Sequence, residues 1–341
     1  MRVLQVGAGS MGTRRLRDLH QRPGLTLTVL DERPDRRASA AQRFGVATVA
    51  TLDEAWDTAP DALIISTPPN EHDRYIAAAL KRDLHFFCEA DIWSYDHRRV
   101  EEATARSGRV AAPSCTLYFH PFVRELRRVV AEELGTLHAF GYLLSVDAPS
   151  WHPGEGAEYY ARHRAMAPAR EMVPFELIAL GHVFGHATAA SGRVTRRGRL
   201  DLEGEDTWSL QLALEGGATG QLTVVMAAPA PVRQGWAVGD GGAIRFDLLS
   251  GVLERSLPGG AAPAVETVCD WAAVYESMYD AEMTAFLAAV RGEAPWPYPY
   301  RTAARVCATL AAAELSMRSG RTEPVEPHRQ PATLPDDYPR G

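Results

Sequence analysis

The stretch from Arg2 to Glu32 constrains this chain more than any other. "RVLQV" is an apolar run of strand length, and "GAGSMG" follows at once. "TRRLRDLHQR" has helical spacing, with Leu16 and Leu19 on one face, and "LTLTVLDE" is a second apolar run ending in acids. Strand, glycine turn, helix, strand and acid in that order specify a dinucleotide-binding fold. Gly7 permits the tight turn, Gly9 lets the backbone approach a pyrophosphate, and Gly12 lets helix and strand pack closely. Ser10 and Met11 sit between them at the helix N-terminus, where free N–H groups and the helix dipole suit phosphate. Asp31 is placed to bind the adenosine ribose hydroxyls. It would repel a 2′-phosphate, so NAD is expected ahead of NADP. Arg33, Arg36 and Arg37 soften that preference, although a solvated helix face is their first reading.

The alternation continues. "DALIIST" reads as a strand, "PPNEHDRYIAAALKRD" as a turn and helix, "LHFFCEA" as a strand, "WSYDHRRVEEATARSG" as a helix and "RVAAPSC" as a last strand. Alternating β and α segments predict a parallel, doubly wound α/β sheet over residues 1–117. From residue 118 the rhythm changes. After the amphipathic helix "FVRELRRVVAEELG" come longer strands, with hairpins at Gly216–Gly217, at "GDGG" and at "SG". Residues 118–322 are therefore expected to form an α+β domain with an open, mostly antiparallel sheet. Such a sheet suggests self-association, because exposed edges and faces are liabilities. "YDAEMTAFLAAVRG" and "YRTAARVCATLAAAELSMRSG" read as helices that pack back on the first domain, and the Pro-rich tail 323–341 as poorly ordered.

The net charge of −7 argues against nucleic-acid binding. No apolar run is long enough to span a bilayer. Cys88, Cys115, Cys269 and Cys307 show no metal or redox spacing, so reduced thiols in a cytoplasmic protein are expected. Lys81 is the only lysine. No metal site is expected: His182 and His186 lie four apart with no third ligand suitably spaced.

The ordered set "GAGSMG", "DALIISTPPNEH", "LHFFCEA", "HPFVRELRRVVAEELGTLHAF", "GWAVGDGGAIRFD" and "EMTAFLAAVRG" resembles the glucose–fructose oxidoreductase/inositol dehydrogenase (Gfo/Idh/MocA) family over roughly residues 1–322. The resemblance implies an N-terminal Rossmann domain and a C-terminal domain with an open sheet. It implies hydride transfer between a nicotinamide and a sugar, polyol or related small hydroxylated compound, in homodimers or homotetramers formed through that sheet. Residue by residue, Gly7, Gly9 and Gly12 match the pyrophosphate turn and Asp31 the ribose-binding acid. Thr67, Pro68, Asn70 and His72 match the loop beside the cofactor, and Glu89 the glutamate of the Glu-Lys-Pro motif.

There the likeness breaks: the lysine falls on Ala90 and the proline on Asp91. In the second domain Glu176 stands for the family's aspartate, while the histidine three or four residues on falls on Ala179 or Leu180. His182 would reach the catalytic place only by a shift of register that helical phase argues against. Glu176 and His182 are the catalytic candidates, with His186, His120, His152, Tyr118, Tyr159 and Tyr160 as other titratable groups. Trp151, His152, Tyr160 and Arg164, in the polar aromatic stretch 148–166, are candidates for the substrate pocket, as is Asp91. The expected activity is an NAD(P)-dependent oxidoreductase with a non-standard proton relay. The alternatives are a relative that uses retained NAD without net redox turnover, in lyase-, cyclase- or epimerase-like chemistry, and a non-catalytic ligand-binding protein.

Overall fold

The computed structural model describes residues 1–90, 96–148, 164–197, 203–259, 262–327 and 329. It divides into two compact units: Met1–Thr116 with Ser277–Ala304, and Leu117–Glu276 with Arg305–Gly341.

The first unit begins β1 (Arg2–Val6), α1 (Ser10–Leu19), β2 (Thr26–Leu30), α2 (Pro34–Phe44), β3 (Ala47–Val49), α3 (Leu52–Asp57) and β4 (Ala62–Ile65). It continues α4 (His72–Lys81), β5 (His85–Cys88), α5 (His97–Ser107) and β6 (Ala111–Pro113). All six strands are parallel, in the order β3-β2-β1-β4-β5-β6. The order reverses between β1 and β4, which opens the crevice at the strands' carboxyl ends where such sheets bind ligands. The strands read as unbroken apolar runs because both faces are covered. Val3, Val29, Ile64 and Phe87 point into one core with Leu16, Met283 and Phe286. Leu4, Leu30, Ile65 and Phe86 point into the other with Ile76, Val100 and Tyr300. The sequence reading passed over β3 and α3, although α3 carries a complete capping box between Thr51 and Glu54.

A polar cluster lies inside this unit. Arg15 is fully buried in α1. Its Nε and Nη2 donate to the two oxygens of Glu89 at 2.7 and 2.9 Å, and Nη2 also donates to Glu282 at 2.7 Å. Glu282 is itself fully buried. It accepts hydrogen bonds from the Ser114 and Thr116 hydroxyls and the Cys115 N–H. Burial works against the charge on Arg15, but Glu89 and Glu282 more than offset it and raise its pKa; burial pushes Glu282 up.

The second unit holds α6 (Pro121–Glu132), β7 (Leu137–Asp147), α7 (Pro168–Phe184), β8 (Ala187–Thr195), β9 (Thr207–Leu214), β10 (Thr219–Val225), β11 (Ala227–Gly239), β12 (Gly242–Asp247), β13 (Val252–Ser256) and β14 (Ala264–Thr267). The chain continues with α8 (Trp271–Val290), which from Ser277 belongs to the first unit, then α9 (Tyr300–Ser319), which from Arg305 belongs to the second, and β15 (Glu323–Pro324). Its sheet runs β14-β13-β12-β11-β7-β10-β9-β8-β15. Every pair is antiparallel except β7 with β10. β9 and β10 alternate buried and open positions, so Trp208, Leu210, Leu212, Leu222 and Val224 share one covered face. On β11 the pattern leaves Trp236 and Val238 exposed. The tail reading needs correction at its start. Glu323 and Pro324 pair with Ala190 and Ala189 of β8, because that edge still had hydrogen bonds to satisfy.

Replacing Glu282 with alanine leaves part of a buried guanidinium and three donors without an acceptor. Unfolding free energy from urea denaturation is expected to fall by about 3–5 kcal/mol. A fall below about 1 kcal/mol would show that Glu282 is dispensable to Arg15.

Candidate functional site

The glycine turn connects β1 to α1. Gly7 has φ +84°, and a Cβ there would lie 2.5 Å from the Ser66 carbonyl oxygen. A Cβ on Gly12 would lie 2.0 Å from the Gly7 carbonyl oxygen. The chain's own backbone therefore demands both glycines. Gly9 differs: its nearest neighbour would be the tip of the Arg36 side chain, at 3.5 Å. Protein packing does not explain Gly9, whereas room for a phosphate does. Gly9 caps α1 without a side-chain hydrogen bond, and no acid sits in the first turn. The first N–H groups of α1, from Ser10 to Gly12, thus lack intrahelical partners.

Asp31 is buried just past the end of β2. Its Oδ2 accepts the Ala8 N–H at 2.8 Å and its Oδ1 the Arg33 N–H at 2.9 Å. Each oxygen keeps a second lone pair for a ribose hydroxyl. These residues fit a dinucleotide: amides and dipole for the pyrophosphate, a carboxylate for the ribose.

The loop after β4 has a separate organisation. His72 is buried, and its Nε2 lies 3.0 Å from the Thr67 carbonyl oxygen. Burial lowers its pKa to about 4, so the ring is neutral and Nε2–H donates, fixing the turn through Pro68. Thr67 Oγ1 is buried without a partner; Asn70 is exposed. Glu89 leaves β5 with a side chain only 14% exposed, paired with Arg15 and reached by the Ser66 hydroxyl at 3.3 Å. Lys81 is exposed at the end of α4, which leads into the amino end of β5, away from Glu89.

In the second unit both catalytic candidates have settled roles. Glu176 is fully buried in α7, accepts the Tyr142 hydroxyl at 2.8 Å and pairs with Arg233. The Arg233 Nε also donates to the Tyr142 oxygen at 2.9 Å. Such a carboxylate positions its neighbours and does not meet solvent. His182 stacks on Tyr118, ring centroids 3.7 Å apart, and accepts from Arg127 at 3.1 Å. Burial and then Arg127 lower its pKa to about 4. His182 thus lies beside an arginine and off the helical face of Glu176. Arg164 is likewise engaged, paired with Glu205. Asp91, Trp151, His152, Tyr159 and Tyr160 lie outside the described residues.

Sequence reasoning missed Arg15, Glu282, Tyr142 and Arg233. Glu282 did leave a signal, since it lies on the same helical stripe as the buried Met278 and Phe286. His120, noted only among the other titratable groups, is fully buried and stacked on Trp271 at 4.3 Å. The guanidinium of Arg233 lies over that same indole at 4.9 Å. His120 Nδ1 accepts the Phe122 N–H at 3.2 Å, which places the hydrogen on Nε2, and Nε2 is buried without a partner. Burial, then Arg233, lowers the His120 pKa to about 4. Glu171, in the first turn of α7, is pushed up by burial to about 7. Among the described residues no three His, Cys, Asp or Glu side chains gather as a metal site, and no helix is long and apolar enough to cross a membrane.

A parallel sheet in this strand order, with its glycine turn and acid, defines a dinucleotide-binding Rossmann unit. Residues 1–109 match the Gfo/Idh/MocA model, described as an oxidoreductase family with an NAD-binding Rossmann fold. An inositol 2-dehydrogenase of Renibacterium salmoninarum is 35% identical over 119 residues, covering 32% of this chain and 34% of that protein. Inositol 2-dehydrogenase 4 of Saccharopolyspora erythraea is 32% identical over 148 residues, covering 41% of each. The chain thus aligns with well under half the length of these relatives. An oxidoreductase from Agrobacterium radiobacter, solved with NAD+, L-tartaric acid and magnesium, superposes with a TM-score of 0.82 at 15% identity. That superposition covers 95% of this chain and 98% of the other, and it shows a shared fold across both units.

Two outcomes follow from this geometry. Gly12→Ala is expected to destabilise the fold by about 1–3 kcal/mol through the clash with Gly7. Gly9→Ala is expected to leave the melting temperature nearly unchanged yet weaken nucleotide binding about tenfold or more, read by titration calorimetry. A third outcome concerns pH. The Glu171 pKa is raised from 4.5 to about 7, so folding favours its protonated form. Its contribution to stability is complete below the unfolded value and is lost as pH rises through the folded one. Glu171→Gln should remove that decline, as seen in urea midpoints measured from pH 4 to 8.

Proposed function

We propose that the chain is an NAD(P)-dependent oxidoreductase acting on a sugar, polyol or related small hydroxylated compound. The observation that carries this reading is the cradle formed by Gly9, the uncapped start of α1 and Asp31. The inositol 2-dehydrogenases that resemble the chain, and the NAD+ bound in the superposed oxidoreductase, support it. A nicotinamide held there supplies a hydride acceptor or donor. The Ser10 and Met11 amides hold the pyrophosphate and Asp31 holds the ribose, while His72 fixes the Thr67–Pro68 turn.

The proton relay differs from the Lys–His pair of the family. Oxidation of an alcohol carbon releases a hydride and the hydroxyl proton, so a group in contact with that oxygen completes the reaction. His120 Nε2–H is a buried donor still lacking an acceptor, which suits it to a substrate oxygen. Glu176 acts through Arg233 and Tyr142 as a positioning residue. NAD is preferred because Asp31 opposes a 2′-phosphate. Homodimers or homotetramers through the open sheet fit the exposed Trp236 and Val238 of β11.

The loss of the lysine favours a second reading, in which bound NAD serves a reaction without net redox turnover. Mass spectrometry of nucleotide released from denatured protein tests both. NAD is expected, together with transfer of deuterium between its C4 position and a panel of polyols. Retained NAD that never changes redox state in turnover would select the second reading. No nucleotide, and no thermal shift with added NAD or NADP, would sink both.

A further inference from the structure

We infer that Arg233 binds a carboxylate, and that the ligand of the second unit is a hydroxylated acid of the aldonate or uronate kind rather than a neutral polyol. The inference rests on the oxidoreductase reading above for its claim that this ligand is the substrate, and it narrows the substrate class.

A guanidinium carries five N–H donors in a rigid fork. On Arg233 one edge of the fork is taken: Nε donates to the Tyr142 oxygen at 2.9 Å and Nη2 to Glu176. Tyr142 donates in turn to the other oxygen of Glu176 at 2.8 Å, so phenol, carboxylate and guanidinium hold one another in place. The second edge, Nη1 with the remaining N–H of Nη2, meets no acceptor among the described residues. The Arg233 side chain is only 9% exposed. This edge is therefore largely removed from water and still unpaired, which is costly for a donor.

Arg15 shows what fills such an edge elsewhere in the chain. Its Nε and Nη2 hold Glu89, and its Nη2 also holds Glu282, two carboxylates on one buried fork. Arg233 holds one. A second unpaired donor lies nearby, since His120 Nε2–H is buried without an acceptor. The His120 ring and the Arg233 guanidinium both lie against the Trp271 indole, at 4.3 and 4.9 Å. Glu176 is fully buried and already accepts from Tyr142 and Arg233, so it is closed to a hydroxyl of the ligand. What stays uncommitted is donors alone. A hydroxyl group brings a hydrogen that finds no acceptor there. An ionised carboxylate only accepts, and its two oxygens match two parallel N–H groups. Because Glu176 already shares the charge of Arg233, a monoanion suits the place better than a phosphate dianion.

Titration calorimetry of the full chain with NAD present tests this. The ligands are D-gluconate, D-galactonate, D-glucuronate and D-galacturonate, each beside its neutral counterpart D-glucitol, D-galactitol, D-glucose or D-galactose. At least one acid should bind about tenfold or more tightly than its counterpart. Arg233→Lys keeps a charge for Glu176 but loses the planar fork. It should weaken that acid about tenfold or more while changing the neutral counterpart less than about threefold. His120→Asn keeps an acceptor for the Phe122 N–H and removes Nε2–H, so it should weaken the acid about fivefold. Melting temperatures confirm that the variants fold. Acids that bind no more tightly than their counterparts, or not at all, would overturn the inference, as would a preference that survives both substitutions. NAD binding without a preference for acids leaves the oxidoreductase reading standing. A preference lost with Arg233, in a chain that binds no nucleotide, supports the carboxylate subsite and fells that reading instead.

Discussion

The first unit is organised around one buried arginine. Arg15 sits where α1, the carboxyl end of β5, the segment after β6 and α8 meet, and it holds an acid from two of them. Burying three charges is expensive unless each is paired and hydrogen-bonded. Glu282 meets that condition with three further donors, two hydroxyls and a backbone N–H. The same contact that stabilises α8 in this unit also orients Glu89 at the sheet end facing the cofactor crevice. In a chain that lacks the neighbouring lysine, Arg15 is the cation that holds this glutamate in place.

The substrate unit shows the same economy with different residues. Glu176 is fully buried and joins a network with Tyr142 and Arg233. Arg233 in turn lies over Trp271, on which His120 stacks. The polar centre of this unit is built on an arginine flanked by an aromatic ring and a carboxylate. A group of that kind orients oxygen atoms and carries no proton itself, since its guanidinium stays charged throughout the working pH range.

Much of the fold was legible in the sequence. β1, β2, β4 and β5 are buried, mainly apolar runs, and each hairpin carries its glycines where φ turns positive, as at Gly216 and Gly217. What stayed hidden was contact between distant segments. The pairing of β7 with β10 is parallel because the chain crosses from one to the other through α7, β8 and β9, and no local pattern encodes that. The catalytic candidates were harder for a related reason. Glu176 and His182 carry the right residue types, but their chemistry depends on Arg233 and Arg127, which lie 57 and 55 residues away. The glycine turn was readable because its meaning is local. Even there, the difference between Gly9 and Gly12 emerges only when neighbouring atoms are placed.

The span between Arg15 and Glu282 has a consequence for how the protein is made. The two residues are 267 positions apart, so a nascent chain displays the whole parallel sheet long before the second acid leaves the ribosome. During that interval the core that Met283 and Phe286 will later fill is open on one side. Long-range closure of this kind is slow, and it leaves apolar surface exposed until the C-terminal segment arrives. Synthesis itself thus delays the moment at which the first unit can close.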